Sequence, residues 1–318
     1  MTPRRLPPLP AGAVSLDDAR TLGLADHDWR DARLLRVTRS VRSLHAPLDL
    51  RERARAFARA LPADCAFSHV TAARLWGLPL PAPLERDDTL DVMRRSERAP
   101  VERTGCRGHR GLERRRVVEL DGLRVTDPAD TWVDLAAVRR HRLDRDDLVA
   151  VGDAVVTRWA RPGVRRSAVE VADALDPLRR ALAARGSPRG ATLLVEALAL
   201  VRPGVRSARE TRSRLLFVAA GFPEPEPCAP LHARGGGWLA EGDLVWHAQR
   251  VVGEYQGEVH GSRSARSTDA ARNGLLGDED WTVLEIFAED HADPHRRRAL
   301  LVRFARALGL DPRTLTIR

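Results

Sequence analysis

The sequence has no lysine: every one of its 53 Lys+Arg positions is arginine. This excludes chemistry that depends on a lysine amine, such as Schiff-base formation, a lysine-bound cofactor or a phosphate-binding loop with its lysine. Asparagine occurs once and isoleucine twice, which points to a coding sequence biased toward G and C, with arginine standing in for lysine throughout. A formal charge of +9 and a pI near 10.9 therefore argue for a polyanionic partner only where the charge is localised. The three cysteines, Cys65, Cys106 and Cys228, are scattered and odd in number. They form neither a disulfide framework nor a CxxC metal pair, and they suit a reducing compartment. No apolar run approaches the roughly 18 residues of a membrane span. The opening Met-Thr-Pro-Arg-Arg-Leu-Pro-Pro lacks the apolar core of a signal peptide. A cytoplasmic protein with no membrane partner is expected.

With 43% hydrophobic and 31% charged residues among 318, the chain reads as globular, with a length suited to about two domains of roughly 150 residues each. Its charge is uneven. Residues 1–60 carry a net +5, residues 61–204 a net +4, and residues 205–318 balance sixteen arginines against sixteen acids. Coding bias exchanges lysine for arginine but does not create that asymmetry. Contact with a polyanion is expected to begin in the N-terminal part.

Punctuation residues divide the chain into elements. Residues 14–22 read as a helix capped by Ser15 and stopped by Gly23, and Asp26 can cap a second helix through about Leu35. A basic hairpin follows over Leu35–Leu44. Helix, turn, helix, strands is the outline of a winged helix-turn-helix, whose second helix enters the DNA major groove. Arg30 and Arg33 on that helix and Arg36 on the hairpin would be the DNA contacts; the alternative is a pair of amphipathic helices with solvated arginines. Leu50–Leu61 is a helix, and Ser68 can cap another that Gly77 and Pro79 end. Strands are expected at Thr89–Met93 and Arg116–Leu120, then a helix entered at Pro128. Two long helices follow, Asp144–Arg158 and Val164–Ala184, then a linker at Arg185–Gly190 and a helix over Gly190–Val201. His69 and His109 read as structural partners, because nothing nearby completes a metal set.

The chemistry-bearing pattern lies in residues 205–289. Ser207 and Glu210 open a helix that runs to Ala220; strands follow at Ala229–Ala233, Trp238–Trp246 and Arg250–Gln256, with the Gly-rich turn Arg234–Gly237 between the first two. A helix over Thr268–Leu276, a strand over Trp281–Ile286 and a closing helix over Arg296–Leu308 complete the order. Asp243 and Glu254 fall on adjacent strands, with Glu210 on the preceding helix. Carboxylates converging on a small sheet repel unless a cation lies between them. Hard divalent ions take oxygen ligands of this kind, and metal-assisted phosphodiester hydrolysis needs such a site. The plainer alternative is a capping box plus solvated strand acids.

The set Glu210…Asp243–x10–Glu254-Tyr255-Gln256 resembles the core of the PD-(D/E)XK nuclease superfamily. Together with Asp243-Leu-Val-Trp246, Glu254-Tyr-Gln-Gly-x-x-His260, Asp269-x-x-Arg272 and Trp281, it looks like a bacterial Vsr-like endonuclease domain of unknown function. Upstream, Ser68-His-Val-Thr-Ala-Ala-Arg-Leu-Trp-Gly-Leu-Pro79 and Gly122-Leu-Arg-Val-Thr-Asp-Pro128 resemble AbiEi-type antitoxin-like proteins of actinobacteria. The resemblance implies an α/β (α+β) chain in three parts: a winged-helix-like 1–60, a mixed α/β antitoxin-like 61–189, and a restriction-endonuclease-like domain with a central mixed sheet at 190–318. It implies that Asp243, Glu254 and the Tyr255 carbonyl ligate Mg²⁺ (or Mn²⁺), that Glu210 serves a second metal or orients water, and that His260 is a general base or phosphate ligand. Asp269 and Arg272 are as well explained by a structural helix pair. Gln256 occupies the superfamily's lysine position and cannot supply charge to a transition state. Two functions follow: a metal-dependent DNA endonuclease targeted by its N-terminal part, or a non-catalytic DNA-binding antitoxin or regulator that keeps the nuclease fold as a scaffold, with a toxin encoded alongside as partner.

Overall fold

The computed structural model describes residues 13–159, 168–256, 272 and 274–316. It is an α+β chain with three sheets and two compact units. Unit 1 comprises Met1–Leu143 and Arg180–Ala191; unit 2 comprises Asp144–Arg179 and Thr192–Arg318. No helix among the described residues is long and apolar enough to cross a membrane.

Unit 1 begins with β1 (Ala13–Ser15), α1 (Leu16–Thr21), α2 (Asp26–Trp29), β2 (Leu35–Thr38) and β3 (Val41–Ser43), whose strands form an antiparallel sheet in the order β1-β3-β2. Ser15 caps α1 through a reciprocal bond with Asp18. The second helix is a single turn and does not reach Leu35. Asp28 folds back onto the Ala25 amide, and Asp31 accepts the Arg33 amide at 2.9 Å, a local turn that competes with helix. Arg30 thus follows α2, and Arg33 lies in the turn before β2.

The rest of unit 1 runs through α3 (Leu50–Ala58), β4 (Ala66–Phe67), α4 (His69–Trp76), α5 (Ala82–Glu85), β5 (Leu90–Arg94), β6 (Cys106–Arg110), β7 (Val117–Leu120), β8 (Leu123–Thr126) and α6 (Pro128–Leu135). Its five strands are ordered β6-β5-β4-β8-β7. Phe57, Phe67, Leu75, Leu90, Val92 and Val125 bury together in its core. Gly77 ends α4 in the left-handed region at φ 68°, which costs glycine nothing. Ser68 holds the N-cap position, but its hydroxyl meets His69 Nδ1 at 3.0 Å and bonds no first-turn amide. His69 itself has φ 48°, and its ring stacks on His109 with centroids 3.8 Å apart. His109 Nε2 lies 2.9 Å from Oδ1 of Asp91, which is fully buried and also bonded by Arg140. The two histidines stack on each other, and His109 bonds the buried aspartate.

Unit 2 contains α7 (Arg145–Trp159), part of α8 (Ala168–Arg185), nearly all of α9 (Ala191–Leu200), α10 (Ala208–Ala219), β9 (Glu226–His232), β10 (Trp238–Trp246), β11 (Val251–Gln256), β12 (Thr282–Phe287), α11 (Ala288–Ala292) and α12 (Pro294–Ala307). Its sheet has the order β12-β11-β10-β9, with β9, β10 and β11 antiparallel and β12 parallel to β11. Val251 and Val252, neighbours on β11, enter different cores, one with Phe217, Trp246 and Phe304 and the other with Leu231, Val245 and Trp281. The two-residue period of a strand covers both faces in this way. The helix α10 is fixed to α7 by Arg214, fully buried, whose Nη2 lies 3.1 Å from Asp153 Oδ2 while Nη1 reaches Glu224 at 2.8 Å.

The histidine stack makes unit 1 sensitive to acid. Burial pushes the His69 imidazole down from 6.5 to about 4; Asp134 and Asp91 pull upward and His109 downward. A histidine with a depressed folded pKa favours the fold above its unfolded pKa and loses that contribution as pH falls from 6.5 toward 4, on the order of 3 kcal/mol in all. Asparagine tolerates the left-handed backbone at this position. Thermal melts of wild type are expected to lose unit 1 stability across that window, and melts of His69→Asn to stay level; parallel profiles would refute the assignment.

Candidate functional site

Glu210 lies in the first turn of α10. Ser207, the N-cap, accepts the Glu210 amide at 3.2 Å and donates its hydroxyl to Oε1 at 2.9 Å. Oε2 accepts the Arg206 amide at 2.9 Å and the Cys228 thiol at 3.3 Å. Glu210 therefore combines a capping role with a place in a larger acidic cluster.

That cluster is made by strand register. Leu244 on β10 pairs with Gly253 on β11, and one residue beyond on each strand come Asp243 and Glu254. On the other side of β10, Asp243 and Cys228 lie between the Gly242–Ala229 and Leu244–Pro227 pairs. A Cβ on Gly242 would come 2.4 Å from Val252 Cγ2, so only glycine lets the two strands close beside Asp243. Asp243 Oδ2 accepts the Tyr255 amide at 2.9 Å, and Oδ1 lies 3.5 Å from Arg206 Nη2. Glu254 Oε1 lies 2.8 Å from Arg272 Nη2, and Arg206 Nη1 lies 2.8 Å from Glu241 Oε1.

Four carboxylates thus face two guanidiniums, and the balance stays negative. Burial first, and the charge of Asp243 second, push Glu254 from 4.5 up to about 7, against the pull of Arg272 and Arg206. Burial and then Glu210 push the Cys228 thiol up to about 12, so it is a proton donor and not a thiolate. Among the described residues no three His, Cys, Asp or Glu side chains form a ready-made metal cage. Mg²⁺ seldom demands one, since it commonly takes one or two carboxylates and keeps its waters. Asp243 and Glu254, oxygen donors with uncompensated charge, suit such an ion.

Gln256 Nε2 donates to Glu285 Oε1 at 3.3 Å, and the Tyr255 hydroxyl accepts from Arg209 at 3.1 Å. His260 and Asp269 fall outside the described residues. Arg30 and Arg36 are exposed in unit 1, while Arg33 is held by Asp31 through two side-chain bonds. Sequence reasoning missed Arg206, Glu241 and Cys228. Glu241 had a signal, standing two positions before Asp243 on one strand. Arg206 and Cys228 had none, because only the fold brings the Arg206 side chain to Glu241 and Asp243 and Cys228 to Glu210.

Two uncharacterized proteins of Mycobacterium tuberculosis, one from strain CDC 1551 and one from strain H37Rv, are similar to this chain, each 28% identical over 191 residues. The match covers 59% of this chain and 64% of each relative's length. No family model and no solved structure matches the chain.

The repulsion within the cluster has a measurable signature. Glu254's folded pKa is raised, so its contribution favours the fold below 4.5 and is lost as pH rises through 7. With divalent ions chelated, wild type is expected to lose melting temperature between about pH 4.5 and 7 relative to Glu254→Gln. Identical pH profiles would contradict the raised pKa that burial and Asp243 together give Glu254.

Proposed function

We propose that the chain is a metal-dependent DNA endonuclease, targeted by its N-terminal region. The observation that carries the reading is the Asp243–Glu254 pair, held together by strand register with charge left over. The order α10, β9, β10, β11, β12 supports a restriction-endonuclease-like unit. The β1-α1-α2-β2-β3 segment supports a winged-helix DNA contact through Arg30, Arg33 and Arg36. Asp243, Glu254 and the Tyr255 carbonyl would hold Mg²⁺ or Mn²⁺, with Glu210 orienting water or serving a second ion. When bound, the ion would lower the pKa of water and neutralise charge on the scissile phosphate. The chain's own groups do the rest: Tyr255 N–H orients Asp243, Arg272 orients Glu254, and Ser207 orients Glu210. The expected setting is the cytoplasm.

A non-catalytic DNA-binding antitoxin or regulator is the second reading, with a toxin encoded alongside as its partner. It is favoured by Gln256, which brings no charge and is engaged with Glu285.

Purified protein with plasmid DNA and Mg²⁺ or Mn²⁺ is expected to nick, and Asp243→Ala to lose at least about 100-fold in rate. Equal nicking by Asp243→Ala, or none by wild type, would favour the second reading. In either case, binding should weaken with salt, and Arg36→Ala should lower the slope by about one phosphate contact.

A further inference from the structure

Phosphodiester hydrolysis builds negative charge on the phosphoryl oxygens, and fixed cationic donors stabilise it. The chain has no lysine to serve. Around the carboxylates, two guanidiniums are in place, and they differ in freedom. Arg272 Nη2 bonds both Glu254 Oε1 at 2.8 Å and the Glu241 carbonyl at 2.6 Å, which holds it on the sheet. The Arg206 backbone amide bonds Glu210 at 2.9 Å. Its side chain is 55% exposed and lies at 2.8 Å from Glu241 but 3.5 Å from Asp243. One residue thus touches three acids of the cluster while keeping a side chain that can turn outward.

We propose that Arg206 is a catalytic residue of this site, its guanidinium moving off Asp243 to contact the scissile phosphate. The inference rests on the nuclease reading above. Water adds to phosphorus, and the P–O bond to the leaving sugar oxygen breaks. The attacking water releases a proton to solvent, and the leaving oxygen takes one up. Arg206 donates N–H bonds to the non-bridging oxygens, where charge accumulates in the transition state. The same movement frees Asp243 Oδ1, so one arginine both guards the carboxylate before the reaction and serves the phosphate during it.

The test uses the full chain with plasmid DNA. Arg206→Ala is expected to lower kcat by about 100-fold with KM little changed, as for a group acting on the transition state. Arg206→Lys, which keeps the charge, should retain at least about a tenth of the wild-type kcat. Calorimetric titration with Mn²⁺, read without DNA, should show Arg206→Ala binding the ion at least as tightly as wild type, since Asp243 loses a competing partner. Wild-type kcat in Arg206→Ala overturns the inference and leaves the nuclease reading standing. So does a loss of Mn²⁺ binding in Arg206→Ala, or an equal loss of kcat in the alanine and lysine variants. Wild type that binds Mn²⁺ yet never nicks overturns both.

Discussion

Asp243 and Glu254 repel one another across the β10–β11 ladder, and much of unit 2 is arranged around that repulsion. The strands cannot splay apart to relieve it. Leu244, Val245, Val251 and Val252, the residues next in register, are buried in two separate cores. Hydrophobic burial therefore forces the carboxylates together, and polar groups soften what remains: the Tyr255 amide on Asp243, Arg272 on Glu254, Arg206 on Asp243 and Glu241. Burial first, and the charge of Asp243 second, still hold the Glu254 pKa up to about 7. Stability alone would favour an apolar or amide residue at one of these positions, since breaking local consistency at a cost is what functional sites do.

Glu210 reaches the same cluster through a different constraint. Along α10, Thr211 and Arg214 turn to Asp153 on α7, and Phe217 enters the core it shares with Trp246 and Phe304. Arg214 and Asp153 are both buried, so removing Arg214 would leave the Asp153 carboxyl without its cation away from water, a change costing several kcal/mol. That pair fixes the rotation of α10 about its axis. The rotation in turn leaves Glu210 at the helix head beside Cys228, whose thiol it accepts.

Most elements were legible because their signals are local. Ser15 before Leu16, Pro128 at the start of α6 and the Gly-rich turn between β9 and β10 each act within a few residues. The acids on β10 and β11 were legible for the same reason, as carboxylates in otherwise apolar strands. What escaped was set by competition or by distance. The helix after Asp26 stops at Trp29, and just beyond it Asp31 accepts the Arg33 amide in a local turn, an option that spacing does not reveal. Strand β6, Cys-Arg-Gly-His-Arg, has no alternating apolar pattern and exists because Leu90–Arg94 offers it a partner in register. Ser68 looked like a cap, yet its neighbour His69 claims the hydroxyl.

The arginine-only composition has its clearest physical consequence in how acids are paired. A planar guanidinium can bond two carboxylates at once, which an ammonium on a flexible stem does less well. Arg206 spans Glu241 and Asp243, Arg214 spans Asp153 and Glu224, Arg185 spans Asp130 and Asp134, and Arg140 spans Asp87 and Asp91. In each case one cation ties down two acids that would otherwise repel. Arg140, Arg185 and Arg214, half-buried to fully buried, are therefore internal cross-links that offer nothing to a polyanion. Charge available to DNA must come from arginines outside these three bridges, and in the N-terminal segment Arg30 and Arg36 are exposed while Arg33 is held by Asp31. A basic pI in such a chain locates a nucleic-acid contact only after the bridging arginines have been set aside.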